Sequence, residues 1–438
     1  MHWLLRILAV PVATLGLVAG GSALYAPAML APQIETPYSD LPNVPEADSL
    51  DDLYAMRDRL MAKLEEPVAK QKLISQGIFS TPTELLQQLQ AVEIRIQVEE
   101  TGKENWQAAQ ELATQGLELS QQPNPTTETY QRIYEAWQAA VDALGEIPEG
   151  SFHYDAAAQK MGDYTAHLEK ASYNYDTARS DFLIPIAEST LGQSRVHITV
   201  CHVETGECRR LNGNQPPASP ASLIKLPIGI AVVQKIVDEN IDLDRPMLVE
   251  RSNYTEDASD IRAGVEYPLR KVLRRMINDS SNIATNQLID FAGLGYINQV
   301  LDERGYTATH VGHKLVGEST YPSNFGASGT NRTTTDELTD MMVKIYNFEH
   351  PGDDILLDSL VEQWDWKLGY AGLKGLPDTF WIGEKTGQNS KVLGTTVAAK
   401  IEDQRYVISI TIDHSAWEGA IRDMVRAIAQ HIIEHDGF

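Results

Sequence analysis

Apolar residues recur along this chain with changing rhythm, and each rhythm predicts a different kind of element. From Ile7 to Ile34 there is no charged residue at all, a run long enough to cross a bilayer, for which about 20 apolar residues suffice. Residues 32–49 then carry Pro32, Pro37, Pro42 and Pro45 among polar neighbours, which reads as an extended linker. Leu53, Met56, Leu60 and Leu64 follow at helical spacing, as do Leu85, Leu89, Val92 and Ile96. Thr81-Pro82-Thr83-Glu84, just before the second stripe, is a capping box with proline at the first helical position.

An internal echo comes next. Trp106-Gln107-Ala108-Ala109 returns as Trp137-Gln138-Ala139-Ala140, a period of 31 residues. Tetratricopeptide-type helical hairpins repeat at about 34 residues, so the region 50–175 is either loosely of that type or a plain helical bundle.

From about residue 176 the pattern changes. Arg195 to Val203 is strand-like, Glu204-Thr205-Gly206 reads as a turn, and helical segments dominate from there to about residue 370. Thr334-x-x-Glu337 predicts an N-cap for a helix through Leu338, Met341, Met342 and Ile345. Two β-rich runs, 394–401 and 406–412, precede a final amphipathic helix carrying Ile421, Val425, Ile428 and Ile432. Strands at both ends with helices between them predict an α+β domain at 176–438, an antiparallel sheet with a helical insertion. The expected organisation is a membrane or signal segment at 1–31, a linker at 32–49, an all-α region at 50–175 and the α+β domain.

Charge narrows the function. A formal net charge of -25 disfavours nucleic acid and anionic membrane surfaces as partners. Arg6 precedes the uncharged run and Glu35, Asp40 and Glu46 follow it, which predicts an N-terminus in the cytoplasm and the bulk of the chain across the membrane. Ala26-Pro27-Ala28 offers a cleavage pattern, so a cleaved signal and a retained anchor both fit, and the length of the run favours the anchor. The two cysteines, Cys201 and Cys208, flank the predicted turn and either pair across a hairpin or stand as unpaired strand residues. Two cysteines make no zinc site without histidine. His431-Ile-Ile-Glu-His435 matches a zinc-protease pattern but ends three residues before the C-terminus, and it reads as the polar face of the last helix. No metal or cofactor is expected.

Three motifs carry chemistry: Ser222-Leu223-Ile224-Lys225, Ser280-Ser281-Asn282 and Lys385-Thr386-Gly387. A helix starting near Ser222 puts Lys225 one turn away on the same face. A lysine desolvated among apolar neighbours can take the proton of a serine hydroxyl. The segment from Thr379 alternates like a strand and ends in a lysine, a hydroxyl and a glycine, which permits close approach of a substrate. Taken singly, the first motif also reads as an N-cap serine followed by a surface lysine, and the second as a loop-to-helix start.

Order, spacing and flanks together resemble the penicillin-recognising serine hydrolases, class A β-lactamases above all. Ser222 and Ser280 are 58 residues apart, and Ser280 and Lys385 are 105 apart. The resemblance covers about residues 176–438. It implies Ser222 as the acylated nucleophile, Lys225 as its base and Ser280 as a proton relay. It implies further that Asn282 orients Lys225 and the substrate, that Lys385 and Thr386 hold the substrate carboxylate beside Gly387, and that the Ser222 and Gln388 N–H groups form the oxyanion hole. Three departures stand out. Ser281 replaces the usual aspartate of Ser-Asp-Asn, Gln388 replaces a small residue, and an arginine often found on the next strand is missing near Gly394, with Lys391 close by. In the loop that should supply a deacylating glutamate, Gly317-Glu318 lacks the Leu-Asn that completes the pattern, so Glu318 is either that base or a solvated loop acid. The expected activity is opening of β-lactams through an acyl-serine. The alternatives are a D-alanyl-D-alanine peptidase or related esterase acting on cell-wall peptides, and a ligand-capturing scaffold whose helical region binds a protein partner.

Overall fold

The structure, a computed structural model, describes residues 47–65, 82–190, 192–326 and 329–438. The expected membrane segment, most of the linker and Thr81 of the capping box lie outside them. Among the described residues no helix is long and apolar enough to cross a membrane.

The first part is all helical: α1 (Leu50–Glu65), α2 (Pro82–Ser120), α3 (Thr127–Gly145) and α4 (Tyr154–Ala178). The two stripes read from the sequence pack on each other, with Leu53 and Leu60 of α1 against Val92 and Ile96 of α2. The tryptophan echo does not mark helical hairpins. Trp106 lies on α2 and Trp137 on α3, so one period holds a single helix rather than a pair. The plain bundle is the observed arrangement, with Trp137 buried among Ala113, Ile133, Ala140 and Ala171.

The second part begins with α5 (Leu183–Glu188), β1 (Val196–His202) and β2 (Cys208–Leu211). Then come α6 (Lys225–Asp238), a short hairpin β3 (Pro246–Leu248) and β4 (Glu266–Pro268), α7 (Leu269–Ile277), α8 (Asn282–Ala292), α9 (Leu294–Glu303), α10 (Thr335–Tyr346), α11 (Asp353–Leu360) and α12 (Gly369–Leu373). The chain ends with β5 (Thr379–Asn389), β6 (Val392–Ile401), β7 (Gln404–Asp413) and α13 (Glu418–His435). The large sheet has the order β2-β1-β7-β6-β5, all antiparallel, as the α+β reading expected.

One sheet face packs on α13, with Ile198, Val200, Ile408 and Ile410 against Ile421, Val425 and Ile428. A second core fills the helical insertion around α6, which is buried almost all round. Between sheet and insertion runs α10, capped by the Thr334 hydroxyl, which accepts from the Glu337 N–H at 3.2 Å. Buried hydroxyls line this contact: Thr339 donates to Ser409, and Ser409 to Thr396, both at 2.7 Å.

Cys201 and Cys208 are direct partners in the β1–β2 ladder and are joined by a disulfide. The open edge of β2 is covered by the end of the helical part. The Asp176 carboxylate accepts from the Cys208 N–H at 3.2 Å, and the Ser180 hydroxyl from the Arg210 N–H at 2.8 Å. Edge N–H groups that would otherwise invite another strand are thus occupied.

Candidate active site

The sequence predicts a helix from Ser222, and the backbone does something tighter. Ala221–Ile224 form a 3₁₀ turn, and α6 starts at Lys225. Pro227 sits in the first turn of α6, where its missing N–H has no helical partner to lose. Ser222 is half-buried at the surface of this turn, while Lys225 is fully buried beneath it.

Lys225 Nζ lies within hydrogen-bond distance of the Ser280 carbonyl, of Ser280 Oγ at 3.1 Å and of Asn282 Oδ1 at 2.8 Å. Lys385 Nζ donates to the same Ser280 Oγ at 3.1 Å, and to the Thr386 carbonyl at 2.6 Å. One hydroxyl therefore bridges two buried lysines, one from the start of α6 and one from strand β5.

Two cations at this spacing do not both survive burial. Burial, reinforced by the charge of Lys385, holds Lys225 well below the usual lysine range. Burial also pushes Lys385 down to about 7, with the Asp365 and Glu384 carboxylates opposing the shift. Burial thus favours the neutral amine at Lys225, the form that can accept a proton. Ser280 can then accept from Lys385 and donate to Lys225, which is a proton path.

Strand β5 is the free edge of the sheet and lies directly against the Ser222 turn. Gly387 makes this approach possible. A Cβ there would stand 2.9 Å from the Leu223 nitrogen and 3.1 Å from the Ser222 nitrogen, contacts that backbone atoms cannot relieve. Beyond Gly387 the strand is exposed at Gln388, and Asn389 ties its end to Ser219, through a 2.9 Å bond to the hydroxyl. Lys391 stands exposed at the β5–β6 turn, and the neighbouring Gly394 is buried.

Ser222, Lys225, Ser280, Asn282, Lys385, Thr386 and Gly387 are thus brought to one place, where Ser280 of the second motif links all three by hydrogen bonds to Lys225 and Lys385. Glu318 makes no hydrogen bond to any of them. It is exposed on the loop between α9 and α10, with no hydrogen bond or ion pair to another described residue. The carboxylate bound to that loop is Glu256, from the segment between β3 and β4. It accepts from Thr320 Oγ1 at 2.6 Å and N at 3.0 Å, and from Ser319 Oγ at 2.8 Å. These bonds hold its carboxyl below the usual range, which makes it a weaker base.

A family model described as the beta-lactamase enzyme family matches residues 183–435. The chain belongs to the β-lactamase enzyme family. No curated protein sequence matches it. Among solved structures it is similar to PBP-A, at 24% identity over 58% of this chain and 97% of that one, with a TM-score of 0.51. It is similar also to a β-lactamase from Sphaerobacter thermophilus DSM 20745, at 23% identity over 57% and 96%, with a TM-score of 0.50. A penicillin G acyl-enzyme complex of a PBP-A mutant matches at 24% identity over 58% and 97%, with a TM-score of 0.50. At these identities the likeness is one of fold, while the family match at residues 183–435 spans the cluster.

Sequence reasoning missed several residues that hold this β-lactamase-family site together. Glu384, fully buried beside Lys385, accepts from the Gly369 and Tyr370 N–H groups, the Trp381 indole and the Thr395 hydroxyl, at 2.8–3.0 Å. Burial still raises its carboxyl above the usual range. A charge inside an otherwise strand-like run was the available signal. Gln363, buried, reaches toward the Glu384 carbonyl at 3.4 Å and seats the loop that carries Asp365. His431 and His435 stack at 4.1 Å on the outer face of α13, with Phe182 over His431 at 3.8 Å.

Proposed function

We propose that this β-lactamase-family chain is a serine hydrolase that opens β-lactam amides through an acyl intermediate on Ser222. The observation that carries this reading is the bridge Lys225–Ser280–Lys385 beneath the Ser222 turn. Neutral Lys225 takes the Ser222 proton as the hydroxyl attacks the lactam carbonyl. The leaving nitrogen receives a proton through Ser280, which is resupplied from the lysines. The N–H groups of Ser222 and Gln388 face the developing oxyanion, and the Lys385 ammonium with Thr386 receives the substrate carboxylate.

Acylation machinery is complete in this reading, and deacylation machinery is not. Hydrolysis of the ester needs a base held against water. Glu318 is solvated, and Glu256 is spent on Ser319 and Thr320. The acyl-enzyme therefore accumulates. The same observation favours a second reading, in which the natural substrate is a cell-wall peptide of the D-alanyl-D-alanine type and β-lactams act as slow substrates.

Intact-mass analysis over time with a penicillin tests both steps. Wild type should gain one persistent adduct, Ser222→Ala none, and Glu318→Gln should change the adduct lifetime by less than about threefold, as for a group outside the reacting centre. Equal labelling of Ser222→Ala would overturn the nucleophile. Rapid turnover without an adduct, slowed strongly by Glu318→Gln, would overturn the account of deacylation.

A further inference from the structure

Ser281 stands where the resembling enzymes carry an aspartate, yet a carboxylate is present at that point in space. Asp257 comes from the loop between β3 and β4, 24 residues earlier. Its Oδ2 accepts from the Ser281 hydroxyl, and from the Ile283 N–H at 3.2 Å. Ser259 completes its shell, with Oγ on Oδ2 at 3.2 Å and N on Oδ1 at 3.3 Å. The Ser281 hydroxyl is itself the N-cap of α8, accepting from the Ala284 N–H at 3.1 Å.

These contacts matter because of what flanks them. Ser280 and Asn282, one residue to either side of Ser281, supply all three acceptors of the Lys225 amine. Ser280 is held at φ 57°, a left-handed conformation that is strained for a non-glycine residue and persists where its surroundings enforce it. The Ser281 N–H bonds to the Arg275 carbonyl at 2.9 Å on one side, and its side chain to Asp257 on the other. A negative charge here also lies at the positive end of α8.

We infer that Asp257 is a positioning residue for acylation: through Ser281 and the first N–H groups of α8 it holds Ser280 and Asn282 in the geometry that seats Lys225, supplying from a separate loop the carboxylate that position 281 lacks. The inference rests on reading Ser222, Lys225 and Ser280 as the acylating group. The Asp257 charge also acts on Lys225 directly, against the shift imposed by burial.

The test is the rate of labelling by a fluorescent penicillin on the full chain, resolved into non-covalent affinity and the acylation rate constant. Asp257→Asn keeps the shape and one acceptor oxygen but removes the charge. It should slow acylation by about tenfold or more while affinity changes less than about threefold, because Asp257 touches neither Lys385 nor Thr386. Asp257→Asn combined with Ser281→Asp returns a carboxylate to the N-cap, where aspartate caps as well as serine. That double variant should acylate within about threefold of wild type, a rescue that a merely structural loss does not give. Asp257→Asn acylating at the wild-type rate, or a double variant still about tenfold slow, overturns the inference. Should Asp257→Asn not fold, the double variant against wild type decides alone by the same limits. Labelling that is absent in wild type, or equal in Ser222→Ala, instead removes the reading beneath it.

Discussion

At the scale of single residues the site turns on one hydroxyl between two buried amines. Ser280 Oγ is 3.1 Å from both Lys225 and Lys385, and the two lysines divide the work because they cannot both stay charged. This predicts a pH signature. Lys385 in the free protein titrates at about 7, lowered from its ordinary value chiefly by burial. Below that pH it is an ammonium and attracts an anionic substrate; above it the charge is lost. Lys225 lies well below the ordinary lysine range, so the rise in pH does not cost the base. The kcat/KM for acylation by an anionic penicillin should therefore fall above about pH 7, by roughly tenfold per unit once the single proton is lost. The methyl ester of the same penicillin, which has no carboxylate to hold, should show a flatter limb. Identical limbs for the two compounds would mean that Lys385 does not read the carboxylate.

At the scale of elements the unexpected feature is how the helical part meets the sheet. The last turn of α4 places Asp176, buried, among Arg209 and Arg210 of β2 and Arg179, the residue that follows α4. Tyr173 of the same helix donates to Asp336 at the start of α10, at 2.9 Å. The sheet edge, α4 and α10 are thereby locked around one anionic pair. Asp176→Ala leaves the β2 N–H and the buried guanidinium of Arg209 short of a partner, a loss of about 2–3 kcal/mol for groups of this burial. The urea midpoint for loss of penicillin labelling should drop clearly, whereas Asp163→Ala, on the exposed face of α4, should leave it unchanged. An unchanged midpoint in Asp176→Ala would show that the helical part merely rests on the hydrolase domain.

At the scale of the whole molecule, a helical bundle stands before a β-lactamase-family domain, and we propose that both lie outside the cytoplasm behind a retained N-terminal anchor. The uncharged run after Arg6, its acidic flank and the Cys201–Cys208 disulfide support that placement. Fractionation of cells producing the full chain should find it in the membrane pellet, released by detergent and not by salt. A soluble chain beginning near Met29 would show a cleaved signal in place of the anchor.

Much of this was legible before folding, because it depends on local period or on motif order. The stripes of α1 and α2, the cap of α10 and the α+β order of strands and helices follow from side-chain spacing alone. The three motifs named the residues that cluster, since a reaction constrains residue types more tightly than packing does. What no local pattern held was decided by contacts across long separations. The tryptophan echo comes near the period of a helical hairpin, and only the folded helices showed one helix per copy. Cys201 and Cys208 needed the β1–β2 register to become partners. Glu318 had the right spacing for a base and lies exposed, while Asp257 and Glu384, with no motif of their own, are fastened to Ser281 and beside Lys385. A carboxylate becomes a base, a cap or a solvated charge according to the donors that surround it, and those donors are assembled only when the chain is folded.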